Sequence, residues 1–102
     1  MAAKINHSYT VHAIDRQHVR LIVDAQIEAT IEYGHALYGN GIIAYCLLKN
    51  DLPAWMPADI AAEWHGTTVI TEAGVKIVTM YKDYGGRNFA KLRKRFGKAR
   101  CH

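Results

Sequence analysis

Two runs of β-branched residues restrict the possible folds of this chain most strongly. TTVIT and VKIVTMY are separated by Glu72-Ala73-Gly74, and so short a connection between strand-forming runs predicts an antiparallel hairpin. In HALYGNGIIAYCLLKN, Gly39-Asn40-Gly41 is a turn signal between two stretches rich in aromatic and branched residues. This second pattern predicts another hairpin, or a strand with a bulge.

Two helices are predicted ahead of these strands. A short lead-in and a first helix lie between Tyr9 and Ile22, and a second helix runs from about Ala25 to Tyr33. Asp24 is a suitable N-cap for the second helix, and Gly34 is placed to end it in a left-handed conformation.

Two further helices are predicted, one between the two hairpins and one after the second hairpin. DLPAWMPADIAAEWHG contains both prolines, and its PADIAAEW part predicts a short helix with Pro57 near the first turn. After Gly85-Gly86, Asn88 is a cap for a basic C-terminal helix with an apolar stripe, which Gly97 ends. That stripe consists of Phe89, Leu92 and Phe96.

Helices grouped ahead of an antiparallel sheet indicate an α+β fold, with the helices packed on one face of about four strands. A chain of 102 residues that is 50% hydrophobic is long enough for one modest core. We therefore predict a single domain over 1–102, with a core from 9 to 82 and a basic segment from 87 to 102.

Positive charge is concentrated at the C-terminal end. Residues 1–51 hold four Lys/Arg and five Asp/Glu, whereas RNFAKLRKRFGKAR has seven basic residues and no acidic one. Such a segment favours a polyanion such as RNA; the alternative is a solvated basic tail. The candidate nucleic-acid contacts are Arg87, Lys91, Arg93, Lys94 and Arg95.

The apolar and cysteine content favours a cytoplasmic protein without a membrane partner. No apolar run approaches the roughly 20 residues of a membrane span, and MAAKINHSYT has no signal-peptide pattern. Cys46 lies in the apolar run IIAYCLL and is expected to be a buried thiol.

The first helix carries the main functional signal. His12, Arg16 and Arg20 are spaced at i, i+4 and i+8, which places them along one face of a helix. The buried stripe is then expected from apolar neighbours, namely Ala13, Ile14, Val19, Leu21 and Ile22. Two arginines on the polar face can bind phosphate with forked donors, and the alternative is pairing with nearby carboxylates.

Thr79 and Tyr81 form the second part of the predicted site. Two residues apart on a strand, they point to one side of the sheet. A hydroxyl and a phenol can donate to a phosphoryl group, and the alternative is that both are ordinary sheet residues. We expect no metal and no cofactor, because there is no HxxxH or paired CxxC spacing.

These motifs resemble a known family. HAxxRxxxR, the capped isoleucine-containing helix, Gly34, the middle hairpin and a G-x-x-x-T-x-Y-like end from Gly74 to Tyr81 are similar to a small domain family of bacteria and phages. Members of that family are attached to polymorphic toxins, and it has been linked to the barnase/EndoU/colicin/RelE ribonuclease fold. The resemblance covers residues 9 to 82.

The resemblance implies a metal-independent, toxin-type endoribonuclease site at the matching positions. Within it His12 would transfer the proton, the two arginines would stabilise phosphate charge, and the strand residues would orient the scissile group. The matching positions are His12, Arg16, Arg20, Thr79 and Tyr81. Two alternatives remain: a non-catalytic nucleic-acid-binding domain, and a phage or mobile-element inhibitor or accessory factor that binds another protein without catalysis. The protein partner of the chain would be a cognate inhibitor or a host protein.

Overall fold

The computed structural model describes residues 8–39, 41–72, 75–82 and 99–100. Three α-helices and a short 3₁₀ helix lie in this part of the chain, together with one sheet of six strands. The helices are α1 (Val11–Arg20), α2 (Asp24–Tyr33), the 3₁₀ helix (Lys49–Asp51) and α3 (Ala58–Trp64). The strands are β1 (Ser8–Tyr9), β2 (His35–Gly39), β3 (Ile42–Cys46), β4 (Thr67–Glu72), β5 (Lys76–Lys82) and β6 (Ala99–Arg100).

The sheet has the order β1-β5-β4-β3-β2-β6. The pairs β2–β3, β3–β4 and β4–β5 are antiparallel, so both predicted hairpins are confirmed. Two-residue strands extend the sheet at its edges: β1 is parallel to β5, and β6 is antiparallel to β2. The α+β class is thus confirmed, with a mixed sheet. The predicted basic helix after Asn88 lies outside the described residues.

The long connection between β3 and β4 does not disturb their register. Leu47 N–H donates to Thr67 O at 2.9 Å, and Gly66 N–H donates to Leu47 O at 2.7 Å. These two bonds continue the β3–β4 ladder past Cys46 and bring the ends of the connection together. The connection contains α3, which begins after Pro57 as predicted.

Helix α1 packs through a different face from the one predicted. Ala13 is buried, whereas Ile14, Val19 and Leu21 are 44%, 64% and 83% exposed, so the predicted stripe is wrong at these three positions. Thr10 determines the orientation: its N–H donates to Ile77 O, and its Oγ1 both donates to Val78 O and accepts from Ala13 N–H. This anchor holds the small Ala13 side against β5.

The two ends of α2 also differ from the prediction. The N-cap is Val23, whose N–H donates to the side chain of Gln26, while Asp24 is already helical. Gly34 has φ −73° and ψ 164°, so the predicted left-handed conformation is wrong there. A Cβ on Gly34 would lie 2.3 Å from Thr30 O and 2.9 Å from Cys46 O. Glycine is required because two backbone segments approach closely.

The core has two parts, one on each face of the sheet. On the helix side, residues of α1 and α2 and of the loop between them pack against β4 and β5; the buried members are Ala13, Ile22, Ile27, Val69, Ile77 and Met80. On the opposite face the buried residues are Leu37, Ala44 and Cys46, with Leu48 and Ile70 packed against them. The predicted burial of Cys46 is confirmed.

Candidate functional site

His12 and Arg16 contact each other on α1. The Nε–H of Arg16 donates to Nε2 of His12 at 3.4 Å, and the His12 side chain is exposed. The predicted spacing therefore brings an imidazole and a guanidinium into contact at the surface.

Arg20 extends the series to the edge of the sheet. Its Nη1 donates to the carbonyl of Met80 at 2.8 Å, on the outer edge of β5. Within the described residues, neither Arg16 nor Arg20 forms an ion pair with a carboxylate. The alternative expectation of pairing with Asp15, Asp24 or Glu28 is therefore not observed in this part of the chain.

Thr79 and Tyr81 lie on the face of β5 that points away from α1. Met80, between them, belongs to the buried cluster that contains Ala13. The register pairs Thr79 with Ile70 and Tyr81 with Thr68, and directly paired residues share a face. The structure therefore brings Arg20 to the backbone between the two residues, but places their side chains across the sheet from Ala13.

A polar row on that second face was missed by the sequence reasoning. The registers place His35 opposite Cys46, Cys46 opposite Thr68, and Thr68 opposite Tyr81. Thr68 Oγ1 donates to Cys46 Sγ at 3.4 Å. Tyr81 is therefore paired with a buried threonine of β4 on this face. The turn signal between β2 and β3 could have predicted the pairing of His35 with Cys46, whereas the pairing of Cys46 with Thr68 spans the long β3–β4 connection and has no local signal.

An aspartate holds the histidine at the end of this row. His35 Nδ1 and Asp51 Oδ1 are 3.4 Å apart, and Asp51 Oδ2 accepts from Leu48 N–H at 3.2 Å. The pair attaches the 3₁₀ helix to β2. In the described part of the chain, no three His, Cys, Asp or Glu side chains are close enough together to bind one metal ion.

Two tyrosines outside the predicted site have perturbed acidities. Burial, followed by the charge of Asp24 and a hydrogen bond to it, raises the pKa of Tyr9 to about 12. Burial also raises the pKa of Tyr45, with a smaller effect of Tyr38. Both phenols stay protonated at neutral pH.

A groove lies between α2 and the Trp55–Trp64 segment, which includes α3. Its volume is about 240 Å³. Tyr33 and Trp55 meet edge to face there, with ring centroids 6.1 Å apart and an interplanar angle of 68°. Trp64 and the buried Met56 line it as well, and Glu28 and Glu32 belong to its α2 side.

The predicted nucleic-acid contacts Arg87, Lys91, Arg93, Lys94 and Arg95 lie outside the described residues. No helix in the described part has the length and apolar character needed to cross a membrane. Comparison of the chain with protein-family models, curated proteins and solved structures finds no match.

Proposed function

We propose that the protein is a cytoplasmic, metal-independent ribonuclease-like domain that acts on RNA through the exposed edge of α1. The observation that carries the proposal is the contact of His12 with Arg16, in which the imidazole Nε2 lies 3.4 Å from Nε of the guanidinium. A base beside a fixed positive charge suits attack on a phosphodiester. The resemblance of HAxxRxxxR to a ribonuclease-toxin-like family supports the same assignment.

The proposed reaction uses the nucleophile that RNA itself carries. His12 removes the proton of a 2′-hydroxyl, whose oxygen attacks the adjacent phosphorus while the bond from phosphorus to the 5′-oxygen breaks. The leaving 5′-oxygen takes up a proton from water, and the products have 2′,3′-cyclic phosphate and 5′-hydroxyl ends. Arg16 and Arg20 stabilise the negative charge that develops on the phosphoryl oxygens.

The α1 residues are sufficient for this proposal. Thr79 and Tyr81 lie on the other face of β5. They can orient the scissile group only in an RNA strand that passes the edge of β5. The basic residues Arg93, Lys94 and Arg95 supply backbone affinity, with a salt slope close to one unit per phosphate contact.

The test is incubation of total tRNA and a mixed-sequence RNA with micromolar protein in chelator, followed by end-group analysis. His12→Ala should slow cleavage about 100-fold to 10,000-fold. Arg16→Lys should weaken it because an ammonium lacks the forked donors of a guanidinium. His18→Ala is the matched control, since His18 is exposed on the same helix and is not part of the series.

Two results would contradict the proposal. One is cleavage that continues on a substrate with deoxyribose at the scissile position, and the other is no cleavage of either RNA by folded protein. Tyr81→Phe shows whether the second face takes part: loss of cleavage with an unchanged melting temperature would assign Tyr81 to the site.

The exposed apolar surface of α1 favours a second candidate, a factor that binds a host or cognate protein. Val11 and Leu21 are 85% and 83% exposed at the two ends of the helix, and exposed apolar patches mark sites of protein interaction. An inactive protein that captures one stoichiometric partner, and loses it on Leu21→Ser, would support this candidate.

A further inference from the structure

We propose that the groove between α2 and the Trp55–Trp64 segment binds a lysine or arginine side chain of a basic segment in a partner protein. The groove is separate from the α1 edge and independent of the ribonuclease proposal. Its lining combines aromatic rings with carboxylates, a combination that matches a cation carried on an apolar stem.

The aromatic part favours a flat or alkyl cation. Tyr33 and Trp55 meet edge to face at 6.1 Å, so their faces point in different directions. Trp64 adds a second indole. A cation within about 6 Å of a ring face is attracted by its quadrupole, and tryptophan gives the strongest attraction. The buried Met56 provides an adaptable apolar contact for the stem.

The carboxylates that line the groove determine the charge of the ligand. Glu28 and Glu32 are one helical turn apart on α2, are exposed, and form no ion pair within the described residues. Two carboxylates that have no ion-pair partner in the described part of the chain, on a groove lined by aromatic rings, attract a cation and repel phosphate. This surface is therefore unsuited to RNA, which is assigned to α1.

The size of the groove favours one side chain over a larger molecule. Its volume of about 240 Å³ is below the roughly 300 Å³ at which pockets for drug-sized ligands begin. It is open to solvent, because Trp55 is 69% exposed. A protruding side chain of a flexible basic segment can enter such a groove while its backbone stays outside.

The chain offers a direct assay. Its tryptophans are Trp55 and Trp64, and both line the groove, so intrinsic tryptophan fluorescence reports on this surface. The probe is an acetylated, amidated pentapeptide of four alanines with a central arginine. The comparison peptide has citrulline at the centre, which keeps the shape of arginine and removes its charge.

We expect a saturable fluorescence change with the arginine peptide, weakened by salt, and a much smaller one with the citrulline peptide. Glu28→Gln combined with Glu32→Gln should lower the affinity about threefold to tenfold, because exposed ionic contacts contribute modestly. Glu72→Gln, on β4 and away from the groove, should leave it unchanged. Trp55→Ala should abolish binding without unfolding, since Trp55 is largely exposed.

Three outcomes would overturn this inference: equal binding of the two peptides, which would indicate a neutral apolar ligand; no fluorescence change at millimolar peptide with folded protein; or concentration-dependent self-association that Trp55→Ala removes, which would assign the groove to a second copy of the chain. RNA cleavage by Trp55→Ala is measured in parallel. Because the groove is separate from α1, this variant should cleave RNA as the parent protein does, so the two proposals can fail independently.

Discussion

Replacing Gly34 with alanine is predicted to destabilise the protein severely, although the backbone there has ordinary negative φ. The added Cβ would lie 2.3 Å from Thr30 O and 2.9 Å from Cys46 O. Carbon makes favourable contacts only beyond about 3.5 Å, so the end of α2 must move by about 1 Å. Both obstacles are backbone atoms, which cannot rotate away as a side chain does.

The cost follows from the two interactions that this movement disturbs. Gly34 N–H donates to Thr30 O at 2.9 Å, and weakening that bond costs about 1 kcal/mol. Overpacking a tight contact costs typically about 1–3 kcal/mol more. A total of about 2–4 kcal/mol corresponds to a fall in melting temperature of roughly 10 to 25 °C for a domain of this size.

The assay is urea and thermal unfolding followed by circular dichroism, with Gly41 as the control position. Gly41 has φ +75° and nothing within 4 Å of an added Cβ. Its replacement is limited by backbone strain of about 1–2 kcal/mol, which asparagine relieves. At Gly41 asparagine should therefore be tolerated better than alanine, whereas at Gly34 both should be equally damaging.

The comparison of asparagine with alanine decides between the two reasons for Gly34. If glycine were needed for a left-handed helix end, Gly34→Asn would be mild. A Gly34→Ala variant within about 0.5 kcal/mol of the parent protein, the usual effect of a neutral surface change, would refute the steric argument altogether.

Two further predictions concern the polar groups around the core. Gln26→Leu should cost about 1–3 kcal/mol in urea unfolding, because the buried Gln26 Nε2 donates to Thr67 Oγ1 at 2.8 Å and leucine leaves that acceptor unsatisfied; an unchanged midpoint would contradict this. Burial and Asp24 raise the pKa of Tyr9 to about 12, above the value of about 10 expected when unfolded. The folded state thus retains the proton, so the contribution of Tyr9 is complete below pH 10 and is lost as the pH rises from about 10 to 12. In an absorbance titration at 295 nm, Tyr9→Phe should remove the signal of one late-titrating phenol, and identical titrations of the two proteins would contradict the assignment.

Local patterns were sufficient for α1, α2, α3 and both hairpins. TTVIT and VKIVTMY contain the paired strands β4 and β5, and the stretches on either side of the predicted turn pair as β2 and β3. These features depend on neighbours in sequence, because turn chemistry and β-branching act over a few residues. The spacing of His12 and Arg16 likewise predicted a contact within one helix turn, which is observed.

The orientation of α1 was decided by contacts distant in sequence. The polarity of the helix predicted Ile14 and Val19 in the core, but Thr10 attaches the start of the helix to β5, more than sixty residues away. The rotation of a helix about its axis depends on the hydrogen bonds that fix its end as well as on its apolar face. A single threonine that forms such bonds does not appear in a hydrophobic pattern.

The sequence by itself determined the three α-helices and the four strands of the two hairpins, and which polar groups a single element brings together. Tertiary structure decided where those groups lie relative to one another. It attached Arg20 to the Met80 carbonyl, turned Thr79 and Tyr81 to the other face, and placed Trp55 beside Tyr33. The physical reason is that local periodicity sets the spacing within an element, whereas register and packing depend on which distant surfaces bury each other.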